Sequence, residues 1–382
     1  MEVYLDNNAT TKVDEDVLNE MLPYLKESFA NPSSLYEAGQ RTRMAVNDAR
    51  TTVAKLINAD DSEIIFTASA TESNVTAIMS AARNSNGKKR IITSKIEHAS
   101  ILETMNYLET QGFDIFYLDV DEDGKIKTED LEKAINDDTF LIAMMYANNE
   151  LGNIYPIKEY CNIAHKHNIL FHCDCTQAVG KIKVDVKDLG VDTISFSGHK
   201  IHAPKGVAVL YVKKDTPYTP LIFGHQENNR RGGTENVPYI VGLGKAAEKI
   251  MDDNFQSMEK VKELRDYFEE QIKSKIEDIR IYGDINNRIP NTSNIAFKNA
   301  NGNEIAIMLE ISNISLSNGS ACNTTEPKPS DVLVACHANL KEYYPIRVSF
   351  DASNTKEQVD YFVNKLVSLV SMLRRKNNVH SN

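Results

Sequence analysis

The chain has 382 residues, with 43 Lys and Arg against 54 Asp and Glu for a formal charge of −11, and it is 41% hydrophobic and 25% charged. That composition excludes a disordered or fibrous chain, and the length allows two or three domains with real cores. The acidic balance argues against nucleic acid as a partner, because counterion release needs clustered Lys and Arg.

The opening MEVYLDNNATTKVDEDV has neither a basic leader nor an apolar stretch, and nothing later approaches about 20 apolar residues in a row. A cytoplasmic protein with no membrane partner is the expectation. Through the first two thirds, the runs EIIFTA, RIITS, DIFYLD, FLIAMMYANNE, ILFHCDCTQ, DTISFSGHK and GVAVLYV read as strands. Amphipathic stretches at 69–83, 100–111 and 157–167 fall between several of them. This alternation predicts an α/β fold with a mainly parallel sheet and helices on both faces. From Val237 to about Lys275 the pattern is helical. IRIYG, SNIAF, ISLSNG and PIRVSF then mark a second set of strands, and a helix over 355–375 closes the chain. The expected division is a large domain over 14–260 and a smaller one built from 1–13 and 261–382.

In open α/β sheets, ligands bind beyond the carboxyl ends of the strands, so the polar residues there matter most. In ILFHCDCTQ, His172 and Asp174 share one strand face, and Cys173 and Cys175 share the other. Asp174 reads either as a carboxylate capping the next helix or as one that holds a proton on a buried heterocyclic nitrogen. The next strand ends in Ser197, Gly198, His199 and Lys200. A lysine one strand away from such a carboxylate fits the pyridoxal phosphate arrangement, in which lysine forms a Schiff base and an acid pairs with the pyridinium nitrogen. In FTASATESN, Ala70 and Thr71 fall at a helix start whose free N–H groups suit a phosphate, although an ordinary cap by Ser69 or Thr71 reads equally well.

YLDNNATT, NPSSLYEAG, FTASATESN, EHAS, NNELGN, DCTQAVGK, SFSGHKIHAPKG, RRGGTEN and SNGSAC, in that order over almost the whole chain, resemble the cysteine desulfurases of the NifS/IscS type. These are class V aminotransferase-superfamily enzymes of fold-type I. The resemblance implies a pyridoxal 5'-phosphate cofactor, a seven-stranded sheet in the large domain and a smaller α/β C-terminal domain. By position it makes Lys200 the Schiff-base lysine and Asp174 the partner of the ring nitrogen. His98 would stack on the ring and move protons, while Gln177 would bond the phenolic oxygen. Ala70, Thr71, Ser197 and His199 would hold the phosphate, with Thr234 from the other subunit of a homodimer. Asn149 would contact both cofactor and substrate, and Asn149 with Arg347 would bind the substrate carboxylate.

Five cysteines are too few, and odd in number, for a disulfide framework. Cys161 and Cys336 lie in apolar contexts, Cys173 and Cys175 under helices, and none of the four forms a metal cluster. Cys322, in SNGSACNTTEPKPSD, reads as an exposed loop residue, and by the resemblance it is the persulfide-forming thiol. The implied reaction converts L-cysteine to L-alanine and passes sulfur through Cys322 to an acceptor protein such as an iron-sulfur scaffold. The alternatives are a class V lyase or aminotransferase acting on another amino acid such as selenocysteine, or a binding protein without activity. The chain departs from the commoner family pattern near Ala70, where SATES replaces GATES, and near His202, Asn318 and Asp351, departures that bear on substrate scope and partner choice.

Overall fold

The computed structural model describes residues 1–318 and 329–380. After a short strand β1 (Val3–Tyr4), seven strands form one sheet: β2 (Ile64–Thr67), β3 (Arg90–Ser94), β4 (Asp114–Leu118), β5 (Thr139–Met145), β6 (Leu170–Asp174), β7 (Thr193–Ser197) and β8 (Ala208–Val212). Their order across the sheet is β2-β8-β7-β6-β5-β3-β4. The pairs from β7 through β4 are parallel, and β8 runs antiparallel to both its neighbours. β2 therefore points the same way as β7, and the carboxyl ends of six strands lie on one edge.

The strand sequences explain the layering. β5 and β8 are buried along their whole length, as strands covered on both faces must be. Alternate residues of β5 enter different cores: Leu141 and Ala143 pack with Ile78, Ile101 and Met105 on one face, while Ile142 and Met144 pack with Ile157, Tyr160 and Phe171 on the other. The helices Ala70–Arg83 and Ala99–Thr110 cover the first face, and Ile157–Lys166 covers the second. Only the edge strand β4 alternates exposed and covered residues.

The helical stretch after the sheet is two helices, Val237–Asp253 and Gln256–Lys275, broken where Asn254 and Phe255 adopt left-handed backbone at φ 46 and 62. Beyond them, β9 (Ile279–Tyr282), β10 (Thr292–Lys298) and β12 (Tyr343–Ser349) form an antiparallel sheet in the order β12-β10-β9, and the short β11 (Ile314–Ser315) pairs in parallel with β1. A second core joins Val3 and Leu5 to Ile295, Phe297, Ile346 and Val348 on one face of this sheet and to the helices that cover that face, while Tyr282 and Ala296 on the other face join the larger core. Phe268 is its centre, stacked on Phe362 at 5.2 Å and tilted against Phe350 at 5.7 Å. The helix Asp331–Ala335, by contrast, sends Val332 and Leu333 into the larger core. Among the described residues, no helix is long and apolar enough to cross a membrane.

Candidate active site

The carboxyl ends of the parallel strands bring the sequence-selected residues together. Asp174 is the last residue of β6, Lys200 follows β7 on a single 3-10 turn, Asn149 lies just beyond β5, His98 caps the helix after β3, and Ala70 and Thr71 open the helix after β2. Ser69 caps that last helix by accepting from Glu72 N at 3.1 Å, and the Ala70 and Thr71 N–H groups of the first turn have no carbonyl one turn back within the helix to bond.

Asp174 is buried and accepts from Asn74 Nδ2 at 2.8 Å and Thr176 N at 2.9 Å. A carboxylate only accepts, so Asn74 must turn its nitrogen toward Asp174. Its Oδ1 then receives His172 Nε2 at 2.9 Å together with the Ser195 hydroxyl. The same Asn74 nitrogen donates to Ser100 Oγ at 2.8 Å, and that hydroxyl passes its proton to His98 Nδ1 at 2.8 Å. His98 Nδ1 also accepts from Ser100 N at 3.1 Å, so the ring proton sits on Nε2. Burial pushes the His98 pKa down, against the pull of Asp174 and with the help of Lys200, so the ring is neutral at pH 7. Burial likewise takes His172 down to about 4.

Glu97, next to His98, is buried against Asp174, and burial raises it to about 8. It is thus a neutral acid that adds no second negative charge beside Asp174.

Lys200 Nζ donates to the backbone oxygens of Asn8 and of Ala9, the latter at 2.7 Å. Burial and the charge of Arg347 lower its pKa to about 8, with Asp6 and Asp174 opposing, so a useful fraction is the nucleophilic free amine. Gln177 Nε2 reaches the same Asn8 oxygen at 3.0 Å. His199 Nδ1 meets Thr10 Oγ1 at 3.1 Å and is lowered to about 4 by burial and by the nearby lysines.

Arg347, buried on β12, gives Nη2 to Asp6 Oδ1 at 2.6 Å and Nη1 to the Asn149 oxygen at 3.2 Å, while its Nε has no partner among the described residues. Asn149 thus meets Arg347 through its carbonyl. Thr234 is exposed, three residues beyond Arg231, whose guanidinium pairs with Glu72 at 2.8 Å. Cys322 lies outside the described residues.

These groups fit pyridoxal 5'-phosphate. A buried carboxylate ends one strand, a lysine of lowered pKa ends the next, a helix start favours an anion, and one backbone oxygen collects both a lysine nitrogen and an amide donor. A cavity of about 1080 Å³ reaches Lys200 from behind residues 10–15, but neither His98 nor Asp174 lines it, so the reaction centre is placed by the strand ends. Sequence reasoning passed over Asn8, Asn74, Glu97 and Lys181. All four stand inside the quoted motifs, Asn8 in YLDNNATT, Asn74 at the end of FTASATESN, Glu97 at the start of EHAS and Lys181 at the end of DCTQAVGK, but none was given a role.

Sheet order, crossover pattern and strand-end site are those of a fold-type I pyridoxal phosphate enzyme. The aminotransferase class-V family model matches residues 3–362, and the chain belongs to that family. It is 44% identical over 376 residues to the cysteine desulfurase IscS of Dictyoglomus turgidum, covering 98% of this chain and 95% of the relative. A solved NifS-like protein superimposes with a TM-score of 0.92 at 37% identity, covering 97% of this chain and all of that one. A second, SspA in complex with cysteine, gives 0.81 at 36% identity over 92% of this chain and all of that one.

Proposed function

We propose that this chain is a pyridoxal phosphate-dependent cysteine desulfurase, which takes sulfur from L-cysteine, releases L-alanine and carries the sulfur on Cys322. What supports it is the meeting of Asp174 and Lys200 at the ends of β6 and β7, in a chain similar to cysteine desulfurases over 98% of its length. The relatives' names favour cysteine over selenocysteine or another amino acid.

Pyridoxal phosphate supplies an electron sink that loosens the bonds at the amino acid's α and β carbons. Asp174 would hold the proton on its ring nitrogen, and Gln177 would donate to its phenolic oxygen. Ala70, Thr71, Ser197, His199 and the partner subunit's Thr234 would hold its phosphate. Arg347 offers a planar fork to the substrate carboxylate, with Asp6 giving way and Asn149 lining the site. Lys200 Nζ, once free, takes the α proton, and His98 Nε2 moves a second. The Cys322 thiolate attacks the substrate sulfur, forming an S–S bond as the Cβ–S bond breaks. That bond's electron pair returns to carbon, which is protonated as alanine.

The described ends of the segment that carries Cys322 flank this site. Ser317 exchanges backbone bonds with Arg347 at 2.7 and 3.3 Å, and Ser330 bonds Glu150 beside Asn149. Cys322 is four residues beyond Asn318, a reach of up to about 14 Å. A homodimer in the cytoplasm, handing sulfur to an acceptor protein with a basic docking surface, belongs to the same proposal. The chain's charge of −11 and its free Cys161, Cys173, Cys175 and Cys336 support it.

After exposure of the holoenzyme to L-cysteine, mass spectrometry should find Cys322 heavier by one sulfur atom. Cys322→Ser should keep the cofactor absorbance and lose sulfur output; undiminished alanine production by that variant would reject the assignment.

A further inference from the structure

Lys181 has no part in the chemistry above, yet it is buried, and its ammonium ends on two side-chain oxygens, Asn8 Oδ1 at 3.0 Å and Gln177 Oε1. Lys181 Nζ donates to both oxygens, although burial and the charges of Lys200 and Arg347 hold its pKa well below the usual lysine value. Gln177 must therefore turn its amide oxygen toward Lys181, which leaves Nε2 to donate on the other side. That donor goes to the Asn8 carbonyl, the same oxygen that receives Lys200 Nζ. Asn8 is held from further sides: its Oδ1 accepts from Asn291 Nδ2 at 2.9 Å, and its Nδ2 donates to Thr292 Oγ1 at 2.8 Å. Gly180 lets Lys181 approach. Its φ is +79, and a Cβ there would come within 2.6 Å of Ile201, the residue after Lys200.

We propose that Lys181 is a positioning residue that fixes the sense of the Gln177 amide, so that a donor faces the cofactor oxygen beside the Lys200 nitrogen. The proposal rests on the reading of Gln177 as the partner of the phenolic oxygen. A donor there weakens the oxygen's hold on the proton it shares with the lysine nitrogen, which lowers the pH at which that proton leaves. Without Lys181 only the Asn8 carbonyl still holds the amide in that sense, so its oxygen turns toward the cofactor part of the time and the proton is held to higher pH.

The measurement is the pH midpoint of the near-visible absorbance change of the holoenzyme. Gln177→Leu should raise it, and Lys181→Met should raise it by a similar amount, roughly half a pH unit or more. The double variant should shift no further than Gln177→Leu alone, and Lys181→Arg, still a pure donor, should leave the midpoint in place. An unchanged midpoint in Lys181→Met beside a shifted Gln177→Leu would overturn the proposal. So would a double variant whose shift is the sum of the two, because Lys181 would then act by its own charge. An unmoved Gln177→Leu removes the phenolic-oxygen reading itself, and the proposal with it. If Lys181→Met gives no folded holoenzyme, Lys181→Gln carries the same comparison, since its amide no longer forces the orientation.

Discussion

Asn74 shows how much of a site one neutral side chain can organise. Its two amide protons go to Asp174 and Ser100, and its oxygen takes His172 and Ser195, so the orientation of His98 and the seating of Asp174 are set by one planar group. Asn74→Ala would leave four buried partners short of a bond. A loss of about 2–4 kcal/mol in urea unfolding is expected. A fall in alanine-forming kcat of about tenfold should accompany it as His98 loses its tether. Stability and kcat both at the parent level would show that the network is not shared in this way. Asp174 was legible in the sequence because a carboxylate at the end of an apolar strand carries a high desolvation cost and calls for a reason. Asn74 was not, because an asparagine in a helix body after a capped start is unremarkable until His172 and Asp174 are seen on the same side. Glu97 was illegible for a related reason: its neutrality comes from burial, which no spacing reveals.

At the scale of elements, the 3-10 turn that carries Lys200 is latched to the strand end after β12. His202 has left-handed backbone at φ 64, gives Nε2 to Asp351 at 2.9 Å and gives Nδ1 to the Lys12 oxygen at 3.0 Å. Both ring nitrogens donate, so the bonded form is the charged one. Burial opposes that charge, but the bond and charge of Asp351, with the Lys12 carbonyl and Asp14, raise the His202 pKa above its usual value. Burial works against Asp351 too, and the bonds from His202 and Ser353 hold it well below the carboxylate range. The signs follow by linkage. The His202 contribution is complete below its unfolded pKa, about 6.5, and is lost as pH rises through the folded value. The Asp351 contribution is complete above about 3.9 and is lost as pH falls through its folded value. Holoenzyme melting temperature, followed against pH, should therefore carry a latch contribution between about pH 4 and 6.5 that Asp351→Asn removes, and the two curves should draw closer as pH rises through the His202 titration, leaving the share held by Ser353. Parallel curves across the whole range would show that the pair contributes nothing. The sequence marked both positions as departures from the commoner pattern, and their pairing needed the fold, because 149 residues separate them.

For the molecule as a whole, the strand alternation was enough to read the sheet, its parallel sense and its cofactor edge. The antiparallel β8 was less visible, because a buried strand looks the same in either direction. The break at Asn254 and Phe255 was also missed, since the helical period runs through it. Phe29 and Leu35 are 81% and 82% exposed, and Phe223 is 73% exposed beside the turn leading to Thr234. Aromatic and aliphatic side chains so open to water call for cover, which a second copy of the chain would give. Light scattering should report a dimer. Phe223→Glu should shift it toward monomer and lower pyridoxal phosphate retention at dilution about tenfold, and an intact dimer in that variant would exclude Phe223 from the interface.

The opening residues have a consequence for how the protein comes into being. Asn7 and Asn8 bond Ser349, and Asn8 also seats the lysine and glutamine of the cleft, so the front of the chain is fastened by its far end. During translation at about 5–20 residues per second, Asn8 leaves the ribosome on the order of half a minute before its anchor is made. No nascent fragment that stops short of Ser349 holds a finished lysine pocket, and reactive chemistry is deferred until that residue has been made.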